Sequence, residues 1–447
     1  MAPGQVEGQL GWLGIVRVGL VQSALGAIVV LTTATLNRVM VVELALPASL
    51  PAALVAWHFA VQLSRPIWGH RSDIGGSRTP WIIGGMGLLS LGAILATNAT
   101  LMLDGMSLIG LVLSVVAFTV IGVGVSAGGT SLLAFLATEV APARRPAAAA
   151  IAWIMMVMGI AVTAGVSGAL LDPYSPQRLA LVAAGVAAAA FIVTLLAIRG
   201  MEIPGRRTVL VPELNERGDN PRFAEVLRQI WSENLARTFT LFVFFAMLAY
   251  SAQDLILEPY AGLVFGYTLG ESTQLTSVQH GGVLLGMILV GLAGAIGRND
   301  KTAWLKAGTF LGCVTSAAAL LALGGAGLGG PTWLLPPVVF TLGFANGVFA
   351  VSAVGLMISY ASAGRGARAG VRLGVWGAAQ ATAFGLGGLA GAVGLDVMRV
   401  LIDSVPAAFA TVFAAEAFLF LVAAVLAARL GREGLHDRGL SFDARAT

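Results

Sequence analysis

Apolar residues in this chain neither alternate nor keep to one helical stripe. They come in near-continuous runs of about 20, the length that carries an α-helix across bilayer hydrocarbon. Six such runs, 17–46, 50–68, 80–97, 107–138, 145–171 and 179–198, precede a polar segment at 199–237. Six more follow, at 238–260, 273–297, 303–323, 333–362, 371–395 and 406–430. The pattern predicts an all-α polytopic membrane protein of about 12 helices. Residues 1–198 form a first six-helix half, 199–237 a cytoplasmic linker, 238–430 a second half and 431–447 a cytoplasmic tail. Residues 262–272 read clearly neither as span nor as loop. The first run, from residue 18 to 46, is too long for a signal core and contains Arg38 and Glu43, so no cleavable leader is expected.

Composition strengthens this reading. Of the 447 residues, 57% are hydrophobic and only 11% charged, with a mean hydropathy of +0.88. Soluble domains carry charge on about a quarter of their residues, so most of this surface is built for lipid. The 58 glycines follow no three-residue period and fall inside apolar runs, as close helix packing in a membrane requires. The single cysteine, Cys313, excludes internal disulfides and cysteine metal clusters.

A pI near 9.6 does not point to nucleic acid, because the basic residues sit in short loops. With 12 crossings, every Lys and Arg except Arg38, Arg178 and Arg399 falls on one side of the membrane. That asymmetry places both termini and the linker on the cytoplasmic side of the membrane.

The halves echo one another. The first span ends Asn37-Arg38-Val39-Met40-Val41-Val42-Glu43, and the seventh ends Ala252-Gln253-Asp254-Leu255-Ile256-Leu257-Glu258. Each sets a polar pair a little over one turn before a glutamate. After the second span, Gly69-His70-Arg71-Ser72-Asp73-Ile74-Gly75-Gly76-Ser77-Arg78 is similar to the loop signature of the major facilitator superfamily, carried by Gly69, Asp73, Gly76 and Arg78. That likeness implies two pseudo-symmetric six-helix halves.

Ionisable groups inside a membrane cost several kcal/mol unless paired or wetted, so they are the functional candidates. The expected intramembrane network is Asn37, Arg38, Glu43, Gln253, Asp254 and Glu258, with Arg38 pairing to Asp254 or Glu258. Each also has a purely structural reading as a bridge that meets no ligand. His58 and His280 lie mid-span in equivalent helices, where imidazole can pack by a hydrogen bond, relay protons or ligate a metal. Glu139 and Glu416 are expected at span ends.

The run Leu36 to Leu44, the run Gln253-Asp254-Leu255-Ile256-Leu257-Glu258-Pro259-Tyr260-Ala261-Gly262 continuing to Gly270-Glu271-Ser272-Thr273, and the loop from Arg65 to Pro80 together resemble the PucC/LhaA, or bacteriochlorophyll delivery, family of phototrophic bacteria. Family members tend to carry two threonines where this chain has Ser272-Thr273. The resemblance implies a factor that assembles the light-harvesting antenna, LH1 or LH2, in the intracytoplasmic membrane. It would bind and deliver bacteriochlorophyll a, carried rather than used in catalysis, or chaperone the antenna α and β polypeptides. Its partners would be those polypeptides, the pigment or its synthesis enzymes, and the lipid bilayer. On that footing His58 is the first candidate ligand for the magnesium of a chlorin and His280 the second; no other metal is expected.

Two other readings compete. Fold alone favours a proton- or ion-coupled secondary transporter of a small solute. That reading predicts polar residues on several helices, whereas helices four, five, ten and eleven read as mostly Gly, Ala and Val. A membrane enzyme is disfavoured by the lack of paired catalytic carboxylates, spaced metal ligands or a nucleotide loop.

Overall fold

The computed structural model describes residues 10–65, 68, 77–103, 105, 107–141, 144–201, 231–295, 301–363 and 369–443, and among them there is no strand. Among the described residues, twelve helical rods follow one another. They are α1 (Trp12–Glu43), α2 (Ser49–Val61), α3 (Thr79–Leu101), α4 (Leu108–Glu139), α5 (Arg145–Leu171) and α6 (Pro176–Ile198). After the linker come α7 (Asn234–Phe265), α8 (Leu269–Ala295), α9 (Lys301–Gly327), α10 (Leu335–Ala363), α11 (Ala369–Leu401) and α12 (Val405–Asp443). Among the described residues, 11 of these helices are long and apolar enough to cross a membrane. The exception is α2, whose 13 residues are followed by a 3-10 turn at Gln62–Ser64. Thirteen residues rise about 20 Å, short of the roughly 30 Å hydrocarbon. The last helix passes the predicted end of its span at residue 430 and continues to Asp443.

The chain forms two compact units that do not coincide with the halves read from the sequence. The first comprises Met1–Pro212 with Leu257–His280, and the second Glu213–Ile256 with Gly281–Thr447. The end of α7 and the start of α8 thus belong to the first unit.

In the first unit, α1 packs along α5 and α6, and α3 along α4 and α6. Small residues permit this approach: a Cβ on Gly85 would collide with the backbone of Gly128, and one on Gly159 with Ser23. Hydroxyls tie the helices further, Ser90 donating to the Ala187 carbonyl at 3.1 Å. At the start of α1, Arg17 Nε donates to the carbonyl of Ala197 at 2.9 Å. In the second unit, α9 packs along α10 and α12. There α11 presents Gly387, Gly388 and Gly391 to Leu248–Leu255 of α7, and Ser251 donates to the Phe384 carbonyl at 2.7 Å. Between lipid-soluble helices such contacts supply van der Waals energy where no hydrophobic drive exists.

Candidate functional site

The first helix is not a regular α-helix. It is α-helical over Trp12–Val30, winds as a π-helix over Leu31–Thr35, is α-helical again over Leu36–Arg38 and π-helical over Val39–Glu43. Such π-turns recur at functional sites because each widens the winding and re-aims the side chains beyond it. The rod ends at Glu43, and two residues on Ala45 has a φ of +51°, in the left-handed region.

Arg38 sits between the two π-turns and is only 2% exposed. Its Nη1 donates to Glu43 Oε1 in an ion pair, and its Nη2 donates to the Tyr267 carbonyl at 2.9 Å. The expected pairing with Asp254 or Glu258 is therefore corrected: the carboxylate bound to Arg38 lies five residues further along its own helix. Glu43 is 29% exposed, whereas Arg38 is buried. Glu258 lies within electrostatic reach of Arg38, and its Oε1 accepts a hydrogen bond from the Thr276 hydroxyl. Tyr174, between α5 and α6, is close enough to feel both Glu43 and Arg38. Burial lifts its phenol above the usual range, the Glu43 carboxylate adds to that, and Arg38 opposes it.

The turn that carries Tyr267 is itself fastened to the first unit. α7 passes through Pro259 and ends at Phe265, Gly266 takes a φ of +70°, and α8 begins at Leu269. Residues 262–272 are thus the end of one helix, a tight turn and the start of the next. Thr268 and Glu271 cap each other reciprocally: the Thr268 N–H donates to Glu271 Oε2 at 2.8 Å, and the Glu271 N–H to Thr268 Oγ1 at 3.1 Å. Asp172, in the α5–α6 connection, accepts from the Thr268 hydroxyl at 2.6 Å and from the Gly270 N–H at 3.1 Å. A Cβ on Gly168 would strike Gln274 and the Gly270 carbonyl, so this corner closes without side-chain bulk.

The two histidines differ. His58 is buried, and its Nε2 lies 2.8 Å from Gln62 Nε2, while Gln62 Oε1 accepts from Arg65. His280 directs Nδ1 at the Thr276 carbonyl at 3.0 Å, which fixes the proton on that nitrogen and leaves Nε2 with a lone pair. Thr276 thus links Glu258, through its hydroxyl, to His280, through its carbonyl.

Of the other expected residues, Asn37 is 2% exposed beside Arg38. Gln253 is fully buried, and neither end of its amide meets a partner among the described residues. Asp254, like Gln253, belongs to the second unit. Arg78 donates from Nη1 to the Ala134 carbonyl at 2.8 Å, whereas Gly69, Asp73 and Gly76 lie outside the described residues. Glu139 ends α4 as expected. Glu416 does not end a span; it falls near the middle of the Val405–Leu430 crossing, buried and with both carboxyl oxygens unpartnered among the described residues. Asp172 and Thr268, which hold the α7–α8 turn, were not expected, although the Thr-x-x-Glu spacing at 268–271 is a capping signature.

Comparison with known proteins bears on both fold and family. A crystal structure of tetrameric PepTSo2 superposes with a TM-score of 0.67 at 16% identity, covering 95% of this chain and 99% of that one. A bacterial homologue of the human lysosomal transporter Spinster, inward-facing and unoccupied, gives a TM-score of 0.66 at 15% identity, covering 95% and 97%. At such identities they establish the fold alone, that of major facilitator transporters. In sequence, the chain is 52% identical over 419 residues to the "Bacteriochlorophyll synthase 44.5 kDa chain" of Rhodobacter capsulatus, covering 94% of this chain and 95% of the relative. It is 31% identical over 440 residues to Protein PucC of Cereibacter sphaeroides, covering 94% and 92%. The model of the PUCC protein family matches residues 35–435, from just before the Asn37–Glu43 run to the end of the last crossing, and the chain belongs to that family.

Proposed function

We propose that this protein assembles the bacterial light-harvesting antenna, LH1 or LH2, by carrying bacteriochlorophyll to the antenna α and β polypeptides or shepherding those polypeptides in the membrane. It acts as a carrier and not as an enzyme, in the inner or intracytoplasmic membrane, with both termini cytoplasmic as its charge distribution favours. One observation carries the reading: the Leu36–Leu44 run and the later part, from Glu258 to Thr273, of the run that begins at Gln253, both of which resemble the family, meet around Arg38 and Tyr267 in the first unit. The name of the relative with 52% identity also refers to bacteriochlorophyll.

A chlorin offers one magnesium in need of an axial ligand and polar ring substituents on an otherwise apolar body. His280 fits the first need, since its Nε2 lone pair is left available by the Nδ1 bond to Thr276. His58 fits less well, because Gln62 meets its Nε2. For the second need, Arg38 Nε, Glu258 Oε2 and Thr273 Oγ1 are buried polar atoms without partners among the described residues. A buried donor or acceptor left unmatched costs about 1–3 kcal/mol, so a ligand that matches it gains that energy.

The test is an absorption spectrum of the tagged protein, extracted gently from phototrophic membranes, with co-purifying polypeptides identified. Bacteriochlorophyll together with antenna subunits is expected. His280→Leu should lose most of the pigment, and His58→Leu should lose less. A colourless, partnerless protein from membranes that are making antenna would instead favour a solute transporter.

A further inference from the structure

The second unit holds a polar layer that the reading above does not use. Its floor is aromatic: the Phe349 ring of α10 lies 6.4 Å from Tyr250 of α7 and 5.8 Å from Phe420 of α12. Tyr250 also meets Phe384 of α11 at 5.8 Å. One turn along the same helix faces from these rings stand Asp254 on α7, Asn346 on α10 and Glu416 on α12. α9 reaches the same level. Gly308 lies against Ser352 and Gly312 against Phe349, so α9 and α10 run antiparallel and Ser316 stands level with Asn346. Ser316 donates to Asn346 Oδ1 at 2.9 Å. Asp254 is within electrostatic reach of both Glu416 and Tyr250, which agrees with this register.

Two features call for a ligand. Glu416 is 2% exposed, and neither carboxyl oxygen has a partner among the described residues. Asn346, 1% exposed, has its Nδ2 unmatched at the same level. A lone carboxylate in the middle of a bilayer is too costly to keep, and a second carboxylate nearby makes it costlier. Among the described side chains, the helices around it bring no cation to this level. Within the spans, α7 presents Tyr250 and Asp254, α9 presents Cys313, and the described side chains of α10 present no titratable group. Arg237 and Lys306 both stand near the N-terminal ends of α7 and α9, and Asp396 and Arg399 stand near the end of α11, close in sequence to the start of α12. A hard metal ion wants six or more oxygens, and among the described residues no group of three or more His, Cys, Asp or Glu gathers.

We propose that this layer is a proton-binding site, in which the buried, unpartnered Glu416 carries the proton while Asp254 and the unmatched Asn346 amide stand at the same level. The site is independent of the pigment reading, which rests on the first unit. Ionisation of Glu416 then requires water or a counter-charge to reach the layer, which makes the packing of α7, α10 and α12 sensitive to protonation.

A lipid-soluble carbodiimide tests this on the full-length protein in lipid nanodiscs. It attacks only the protonated acid: the carboxyl proton moves to a carbodiimide nitrogen as the carboxyl oxygen bonds to the central carbon. Peptide mass spectrometry should find Glu416 modified, with labelling falling about tenfold per pH unit above its midpoint. Asp254→Asn should move that midpoint to lower pH, because it removes a like charge. No label on Glu416 at any pH, in a sample whose Glu258 is labelled, overturns the proposal, as does labelling that ignores pH. Protection of Glu416 by sodium at fixed pH also overturns it, in favour of a cation site. None of these readouts requires a variant of Glu416 to fold.

Discussion

Arg38 shows how one side chain is kept charged in an apolar rod. Its partner, Glu43, is five residues away, and in a regular α-helix the facing neighbours are three or four apart. The π-turn over Val39–Glu43 brings the fifth residue round, which is why the pair is invisible to a reading in α-helical steps and an acid on another helix was expected instead. The presence of a buried charge was legible; its partner was not. Arg38→Leu should lower the stability of the purified protein by about 1–3 kcal/mol, the range for losing hydrogen bonds to a charged group. Adding Glu43→Gln should restore part of that loss, since it removes the stranded carboxylate. Thermal-unfolding midpoints in detergent measure both, and a double mutant no better than the single would show that the pair is not coupled. Glu416 illustrates the opposite failure: it was expected at a span end, yet the predicted crossing at 406–430 already has residue 416 ten residues inside it, and the structure keeps it mid-span.

Among the elements, the α7–α8 turn depends most on a few bonds. The predicted seventh span ends at residue 260, yet the helix runs through Pro259 to Phe265, and the Thr268–Glu271 capping box starts the next one several residues before the predicted residue 273. A proline near a helix end is a weak stop when the neighbouring helices hold the chain in place. Thr268→Ala removes both the cap and the hydroxyl that donates to Asp172, at a cost of about 1 kcal/mol for the cap alone. Amide hydrogen exchange should quicken at residues 266–272 in that variant and stay unchanged in α9 and α12. Asp172→Asn should do the same more weakly, because an amide oxygen still accepts from the Gly270 N–H.

For the whole molecule, hydrophobic run length predicted the number and order of helices, with α2 the one described element shorter than expected. Run length carries no information on which residues associate, so the division into two units could not be read from it. Charge asymmetry, in contrast, makes a prediction about sidedness. The single native cysteine, Cys313, is buried, so an introduced cysteine can be read against a silent background. Gln177→Cys, in the first turn of α6, should react with an impermeant maleimide from the face opposite to Ser441→Cys. Labelling of both from the same face would overturn the twelve-crossing topology.

The lending of Leu257–His280 to the first unit bears on how the protein could be divided. A fragment ending in the linker would leave Asp172 without Thr268 and Gly270, and Arg38 without the Tyr267 carbonyl. A fragment starting there would carry a helical hairpin whose partners are on the other piece. As separately expressed polypeptides the two are each unfinished, and co-expression should succeed only where one completes the other, as in split-protein complementation.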